Sequence, residues 1–400
     1  MKTEVFNFGL FSFVLIHYKI YNSVNQLPNS WDALSNNDIF LKTDFLKGLE
    51  LSSPKNITSY YLGVFKAEKL VGIAIIQRVE MYADDIFRNN RSPTIKQLAK
   101  QLVSKIIKGN ALIVGSLMHT GQHGIYFDTQ HISPKEYLNQ LEKALHDLIA
   151  KIKSEYNKKI RIIAFKDYFE NDAIHNSSEF FKTNNLYKVQ VQPNMVLPIL
   201  DAWKMPEDYV SSFNKKYKRR YKTARKKASS IACKELNKEF IKNNSETLFD
   251  LYETVSDNAG VNSFKLHKLH FYNLKVSLGE KFKVFGFFLN EELVGFYTLI
   301  LNNDVLETYF LGYNKDLQQK YQMYLNMLFN MAFFGIENNF KTIVYARTAM
   351  EIKSSIGAKP NIMHVYLKHT NNFIANTVLK CIVKYMNPIR KWEERHPFKG

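Results

Sequence analysis

The sequence Gly63-x-Phe65-x-x-Glu68-x-Leu70-Val71-Gly72 recurs in the second half of the chain as Gly286-x-Phe288-x-x-Glu291-x-Leu293-Val294-Gly295. Six identities at one constant offset, where chance supplies one or none, mark an internal duplication. Each copy reads as a strand, a short polar turn (Lys66-Ala67-Glu68-Lys69; Asn290-Glu291-Glu292) and a second strand rich in Val, Ile and Phe, which is a β-hairpin. The closing glycine allows a bulge or a close backbone approach within the second strand.

The segments downstream of the two hairpins also match. In the first half come a strand at Leu112–Val114, a helix, a strand at Ile160–Phe165 and a helical stretch. Ser133, Pro134 and Glu136 spell a capping box with proline at the first helical position, and Leu138, Leu141, Leu145, Leu148 and Ile152 form one apolar stripe. The second half predicts a strand at Val305–Leu311, one helix from about Leu317 to Asn338, a strand at Thr342–Ala346 and a short helix ending at Gly357. Both halves resume with Pro-Asn before a strand (Pro193-Asn194-Met195-Val196; Pro360-Asn361-Ile362-Met363). Antiparallel hairpins feeding crossover helices define an α/β fold of two repeated units. The expected division is 1–205, a basic connecting helix at 206–230, and 231–400, with an extra helical segment in the first half between Gln77 and Asn110.

Charge enters here because it is concentrated. The 400-residue chain carries +18, and Lys215–Lys227 alone holds nine Lys or Arg in 13 residues and no acid. Phe213, Tyr217, Tyr221, Ala224 and Ala228 recur through it at helical spacing, so it reads as a basic helix docked by an aromatic seam. It is either a solvated face or an anion-facing surface through Lys215, Lys218, Arg219, Arg220 and Arg225, for tRNA, lipid headgroups or a nucleotide-linked substrate. Cys233 and Cys381 are isolated, which excludes a disulfide framework and favours a reducing, cytoplasmic setting. The apolar run Phe8–Ile16 lacks the flanks of a signal peptide and reads as an opening strand. Met323–Ile336 is too short to span a bilayer, whose core needs about 20 apolar residues, and reads as a buried helix. A soluble or peripheral protein is expected, the inner membrane face included.

Together these residues resemble the GNAT acyltransferase fold, duplicated as in Fem-type aminoacyl and acyl transferases of the bacterial cell envelope. The resemblance rests on Leu293-Val294-Gly295-Phe296, the strand Glu307-Thr308-Tyr309-Phe310-Leu311-Gly312, Tyr324 with its helix, and the run from Arg347 to Lys353 followed by Gly357-Ala358. In the first half, Gly115, Gly121-Gln122-His123-Gly124 and Phe165-Lys166-Asp167 look similar to the matching strand ends. It covers roughly Trp31 to His369. It implies two tandem GNAT-like domains, each a mixed, mostly antiparallel sheet flanked by helices. It implies an N-acyltransferase moving an acyl group from a thioester donor to an amine in cell-envelope or lipid metabolism. Two other readings stay open: an aminoacyl-tRNA-dependent Fem-type ligase, and a non-catalytic scaffold on an anionic membrane or polymer. The partners are a small-molecule or lipid-linked amine and an acyl donor, with tRNA or an anionic membrane surface under the other readings. No cofactor is expected to be tightly bound; acyl-CoA or another acyl thioester would be a co-substrate. Two departures matter. GNAT proteins that bind coenzyme A usually hold its pyrophosphate on a glycine-containing loop at a helix N-terminus, and Gly312-Tyr313-Asn314-Lys315-Asp316-Leu317-Gln318-Gln319 lacks those glycines. The tyrosine often used as general acid is also absent from Ala349–Gly357.

By the same resemblance, chemistry falls at the central strand opening. Glu307 is the candidate base or amine-orienting group, with Tyr309 beside it, and the plainer alternative is a cross-strand ion pair. Arg347, Thr348 and Lys353 are candidates for an anionic group, at a helix start that Thr348-x-x-Glu351 marks as a capping box. Tyr324 and His123 complete the substrate-binding candidates, His123 because its flanking glycines admit close ligand approach. His119-x3-His123 has metal-like spacing, but no Cys or Glu nearby completes a ligand set. Lys166-Asp167 reads as a surface ion pair, and His267 and His270 as surface histidines. No P-loop, Gly-x-Ser-x-Gly elbow or dinucleotide fingerprint occurs, which removes most hydrolase and oxidoreductase readings.

Overall fold

A computed structural model describes residues 15–81, 109–257, 264–371, 373–386 and 392–399. Thirteen strands form one sheet: β1 Ile16–Tyr21, β2 Ile57–Lys66, β3 Lys69–Met81, β4 Gly109–Val114, β5 Ile125–Phe127, β6 Ile160–Phe169, β7 Tyr187–Pro198, β8 Ala232–Glu235, β9 Phe282–Leu289, β10 Glu292–Asn302, β11 Val305–Tyr313, β12 Thr342–Val344 and β13 Lys359–His369. Their order is β1-β2-β3-β4-β6-β13-β7-β12-β11-β10-β9-β8, with β5 also pairing β3. Only β4–β6 and β11–β12 are parallel among the described pairs; the rest are antiparallel.

The repeated motif is a packing device. In both hairpins the register slips by one residue at the valine before the closing glycine, Val71 and Val294. Each opening glycine lies under the phenylalanine two residues on and the cross-strand leucine: a Cβ on Gly63 would sit 3.0 Å from the Phe65 ring, and one on Gly286 2.8 Å from that of Phe288. Each closing glycine receives a helix. A Cβ on Gly72 would lie 2.6 Å from Tyr137 of the Pro134–Tyr156 helix, and one on Gly295 2.7 Å from the Met323 methyl of the Met323–Glu337 helix. The first of these helices starts with the expected Ser133–Glu136 capping box, and its leucine and isoleucine stripe is fully buried. Burying one such side chain contributes about 1.5–3 kcal/mol.

The two halves exchange their last strands. β7 of the first half pairs with β12, and β13 of the second pairs with β6. β7 and β13 also pair with each other, so that Asn194 and Asn361, equivalent in the repeat, stand opposite one another at the pseudo-twofold centre. One face of the sheet carries a core common to both halves, from Trp31, Phe40 and Phe45 through Ile73 and Ile75 to Phe296 and Ile300. The other face carries separate cores, one under the Pro134–Tyr156 helix and one under Met323–Glu337 and the basic helix Lys215–Lys227. Among the described residues no helix is long and apolar enough to cross a membrane.

Several expectations change. The helix expected from Leu317 to Asn338 is two, Lys315–Tyr321 and Met323–Glu337, because Gln322 adopts a left-handed backbone (φ 48°) and buried Asn326 takes the carbonyls of Tyr321 and Gln322. The opening strand begins at Ile16; most of the Phe8–Ile16 run, and nearly all of the extra segment between Gln77 and Asn110, lie outside the described residues.

Candidate active site

Glu307 sits where β11 and β12 part. The parallel ladder pairs Val305 with Thr342, Leu306 with Ile343 and Glu307 with Val344, then stops. Beyond it Ala346 turns the chain away with φ 57°. β11 continues through a bulge: Leu299 faces Thr308, but Tyr297 faces Leu311. The Thr298 hydroxyl fills the bulge, donating to the Phe310 carbonyl (2.7 Å) and accepting from its amide (2.9 Å). The extra residue turns both Tyr309 and Phe310 onto the shared core.

The first half treats the same position differently. β4 leaves the sheet at Gly115 and β5 rejoins it at Gly124. The Gly115 amide donates to the Ile75 carbonyl and the Ile75 amide to the Gly124 carbonyl, both at 2.8 Å. The two glycines touch, and a Cβ on Gly124 would lie 2.4 Å from the Gly115 Cα. Counting on from the paired glycines, Gln77 corresponds to Ile300, and their cross-strand partners are Ile113 and Glu307. The first half therefore has an apolar residue where the second has its carboxylate. In place of a one-residue bulge it has an excursion that carries His119 and His123.

That excursion reaches the second half's carboxylate. His123 Nδ1 is 2.7 Å from Asp38 Oδ2, and His123 Nε2 is 3.8 Å from Glu307 Oε1. Asp38 caps the turn Ile39–Leu41, and Asn302 at the end of β10 clamps that turn by donating to Asp38 Oδ1 (3.1 Å) and accepting from the Ile39 amide (3.0 Å). The Phe40 ring lies 4.5 Å from both His119 and His123. Glu307 is 5% exposed, and burial raises its carboxyl to about 7, with His123 opposing and Asp38 reinforcing the rise. Burial works against a charged His123, but Asp38 and then Glu307 outweigh it, so His123 is held above the ordinary imidazole range although Lys166 opposes. His119, buried with both ring nitrogens unpaired, is held well below that range by burial, His123 and Lys166.

Tyr309, expected beside Glu307, is tied into a separate chain. Its hydroxyl is 3.2 Å from His270 Nε2, His270 Nδ1 is 3.1 Å from the Ser52 hydroxyl, and that hydroxyl donates to the Gly48 carbonyl. Ser52 spends its proton on Gly48, so it accepts from His270 Nδ1–H, and His270 Nε2 accepts from Tyr309. Burial holds His270 neutral, down to about 3, and Tyr309 well above the usual phenol range. His270 is thus a core residue and not a surface one, on the same helical face as Leu274 and Leu278.

Lys166-Asp167 is not a surface pair either. Asp167 is completely buried, with φ 66°, and is ion-paired to both Lys166 and Arg347. Lys166 Nζ also donates to the His119 carbonyl at 2.7 Å. Arg347 is thereby bound to the first half's strand end. The capping box expected at Thr348 does not form. Ala346, Thr348 and Ala349 all have positive φ, the helix Met350–Ser354 has five residues, and Glu351 meets Arg395 at 3.8 Å. The cause is Lys353, whose buried ammonium donates to the carbonyls of Ala346 (3.2 Å) and Arg347 (2.6 Å) and pulls the chain back. Burial lowers Lys353 to about 7. Tyr324 is half-buried at the helix start, 6.3 Å from the Tyr313 ring.

Of the basic helix, Lys215, Arg219 and Arg220 are exposed and Lys218 half-buried, and none of the four forms an ion pair among the described residues. Arg225 turns inward, donating to Asn326 (3.2 Å) and Asn330 (2.7 Å) and lying 4.8 Å over the Phe333 ring. The start of the Lys315–Tyr321 helix does not fit a pyrophosphate. Asn314 already takes the Asp316 amide at 2.9 Å, and the Asp316 carboxylate occupies the first turn. No His/Cys/Asp/Glu group suited to a metal ion occurs among the described residues. Asp38 and Asn302 were not visible as site residues in the sequence; Asp38 shows there only as a helix-cap type, and its partner His123 is 85 positions away.

The chain has the tandem GNAT-like fold of Fem-type proteins: two mixed, mostly antiparallel sheets, joined here into one and flanked by helices. It is similar to FemX (TM-score 0.54, 10% identity, covering 91% of this chain and 100% of that one). It is also similar to a tandem GNAT protein from the clavulanic acid biosynthesis pathway, solved without AcCoA (TM-score 0.51, 8% identity, 89% and 98%). No protein-family model and no curated protein sequence matches the chain.

Proposed function

We propose that the protein is an N-acyltransferase that moves an acyl group from a thioester donor to an amine, with Glu307 as the base. The supporting observation is a buried carboxyl at the strand fork, lifted to about 7 and faced by the Asp38–His123 pair. A base with that affinity takes a proton from an ammonium group near neutral pH, where an ordinary glutamate is too weak. The freed amine attacks the thioester carbonyl; the C–N bond forms, the C–S bond breaks, the thiolate leaves with one of the two protons the nitrogen gives up, and the other is released to solvent. Arg347, Thr348, Lys353 and Tyr324 are the substrate-binding candidates.

The test is amide formation, read by mass spectrometry, from acyl-CoA thioesters and a panel of small and lipid-linked amines. Glu307→Gln should lower kcat by about 10²-fold or more. Unchanged turnover in both Glu307→Gln and Arg347→Ala would refute the assignment. The unpaired cations on Lys215–Lys227 favour a second reading, an aminoacyl-tRNA donor. That reading requires tRNA binding that weakens steeply with salt, by about one log–log unit per phosphate contact.

A further inference from the structure

We propose that His123, clamped by Asp38, is a positioning residue for Glu307, so that the first half supplies through its strand excursion the proton partner for the base carried by the second half. The inference rests on the reading of Glu307 as the base.

Three observations carry it. First, the geometry assigns the tautomer. Asp38 Oδ2 is the acceptor in this contact, so His123 Nδ1 keeps a hydrogen and donates it across 2.7 Å, leaving Nε2 to face Glu307 at 3.8 Å. Second, the pair is held in place. His123 packs against Phe40, and Asn302 locks the turn that bears Asp38, so the imidazole cannot swing away without breaking its hydrogen bond to Asp38. Third, the excursion brings His123 of the first half to the carboxylate of the second. It interrupts a strand that is continuous in the second half, it needs two glycines in backbone contact to close, and Ile113 stands where a base would be.

The groups facing His123 are Asp38 from the N-terminal turn, Glu307 from β11, Lys166 from β6 and His119 from its own loop. Two carboxylates and one lysine around an imidazole favour a single proton shared between His123 and Glu307. The pair exists as carboxylic acid and neutral imidazole, or as carboxylate and imidazolium. When Glu307 accepts the amine proton, that proton passes to Nε2 once the 3.8 Å gap has closed to hydrogen-bond distance. Nδ1–H stays on Asp38, and the imidazolium formed is balanced by the Asp38 charge until the proton leaves with the thiol.

The test is an NMR titration of the full chain, following the His123 ring and the Glu307 carboxyl carbon. In the wild type the two nuclei should report the same two midpoints. Glu307→Gln should lower the His123 midpoint by about 1–3 pH units. Independent single midpoints in the wild type, or a smaller shift in a folded Glu307→Gln, would overturn the proposal. Neither measurement uses turnover, so a coupled pair with no amide product would count against the transferase reading and leave the pairing standing. If a product is found, His123→Gln should move the acidic limb of the kcat/KM–pH profile, and a profile that only drops without shifting would also overturn it.

Discussion

Replacing Glu307 by glutamine should make the folded protein more stable at neutral pH, and only there. Its carboxyl is raised from 4.5 to about 7, mainly by burial. Between those values the unfolded chain has released the proton and the folded one has kept it. The native state binds more protons, so its stability falls as pH rises through this window. At 1.36 kcal/mol per unit, the loss from this group is about 3 kcal/mol, complete above pH ~7 and absent below pH ~4.5. His123 does not cancel it. Its own raised affinity adds stability that is fully present below pH 6.5 and is lost as pH rises through its folded value, and glutamine removes the part that Glu307 supplies. The stability difference between Glu307→Gln and wild type should therefore grow by about 3 kcal/mol in favour of the variant from pH ~4.5 to ~8. Urea unfolding at several pH values measures it, with the m-value as a check that the unfolded state is unchanged. A difference that stays flat with pH would refute the burial argument and, with it, the case for a base tuned near neutrality. The expected combination, a more stable protein without transfer activity, is the usual trade at a strained functional group.

Arg347→Met leaves completely buried Asp167 with Lys166 as its remaining ion-pair partner, and should cost about 3 kcal/mol by urea unfolding. The two closing glycines should differ. Gly72→Ala drives a methyl into Tyr137, whose ring is pinned by its hydroxyl on the Ile73 carbonyl (2.7 Å), and should cost about 1–3 kcal/mol. Gly295→Ala meets the flexible tips of Met323 and Met327, and a shift in thermal midpoint clearly smaller than that of Gly72→Ala is expected. On the basic helix, Lys215→Glu, Arg219→Glu or Arg220→Glu should stay within about 0.5 kcal/mol of wild type. Arg225→Ala should lose about 2 kcal/mol, because it removes two hydrogen bonds and a stacked cation. Equal effects at Arg225 and Arg219 would contradict the inward orientation of Arg225.

The repeat was legible because its physics is local. A glycine that must lie under an aromatic ring, and another that must receive a helix, leave a fixed spacing in the sequence. Ser133, Pro134 and Glu136 announce a helix start for the same reason. The Thr348–Glu351 pattern has the same letters as a capping box, yet Lys353 reaches back to two carbonyls and imposes a left-handed run that no local rule contains. Glu307 could be singled out because a carboxylate inside a strand needs an explanation. Asp38 and Asn302 could not, since their role depends on a contact between chain segments more than 260 positions apart. His270 was readable and misread: its spacing to Leu274 and Leu278 places it on a buried face.

Duplication also explains why one site suffices. A parallel pair of strands that parts midway leaves a fork lined by backbone and open to a ligand, and two repeats give two forks. In the first, Gly115 and Gly124 touch, and the chain fills the opening itself. In the second, the bulge at Tyr309 and Phe310 keeps the fork and its carboxylate. On the proposed reading the base needs a proton partner, and its own half offers none among the groups that perturb it: His123 and Asp38 both come from the first half. Exchange of the last strands, centred on Asn194 and Asn361, holds the halves in one continuous sheet, and the Asp38 clamp fixes the His123 loop against it. On the proposed reading, the repeat with Ile113 in place of the carboxylate is the part that positions Glu307 of the other.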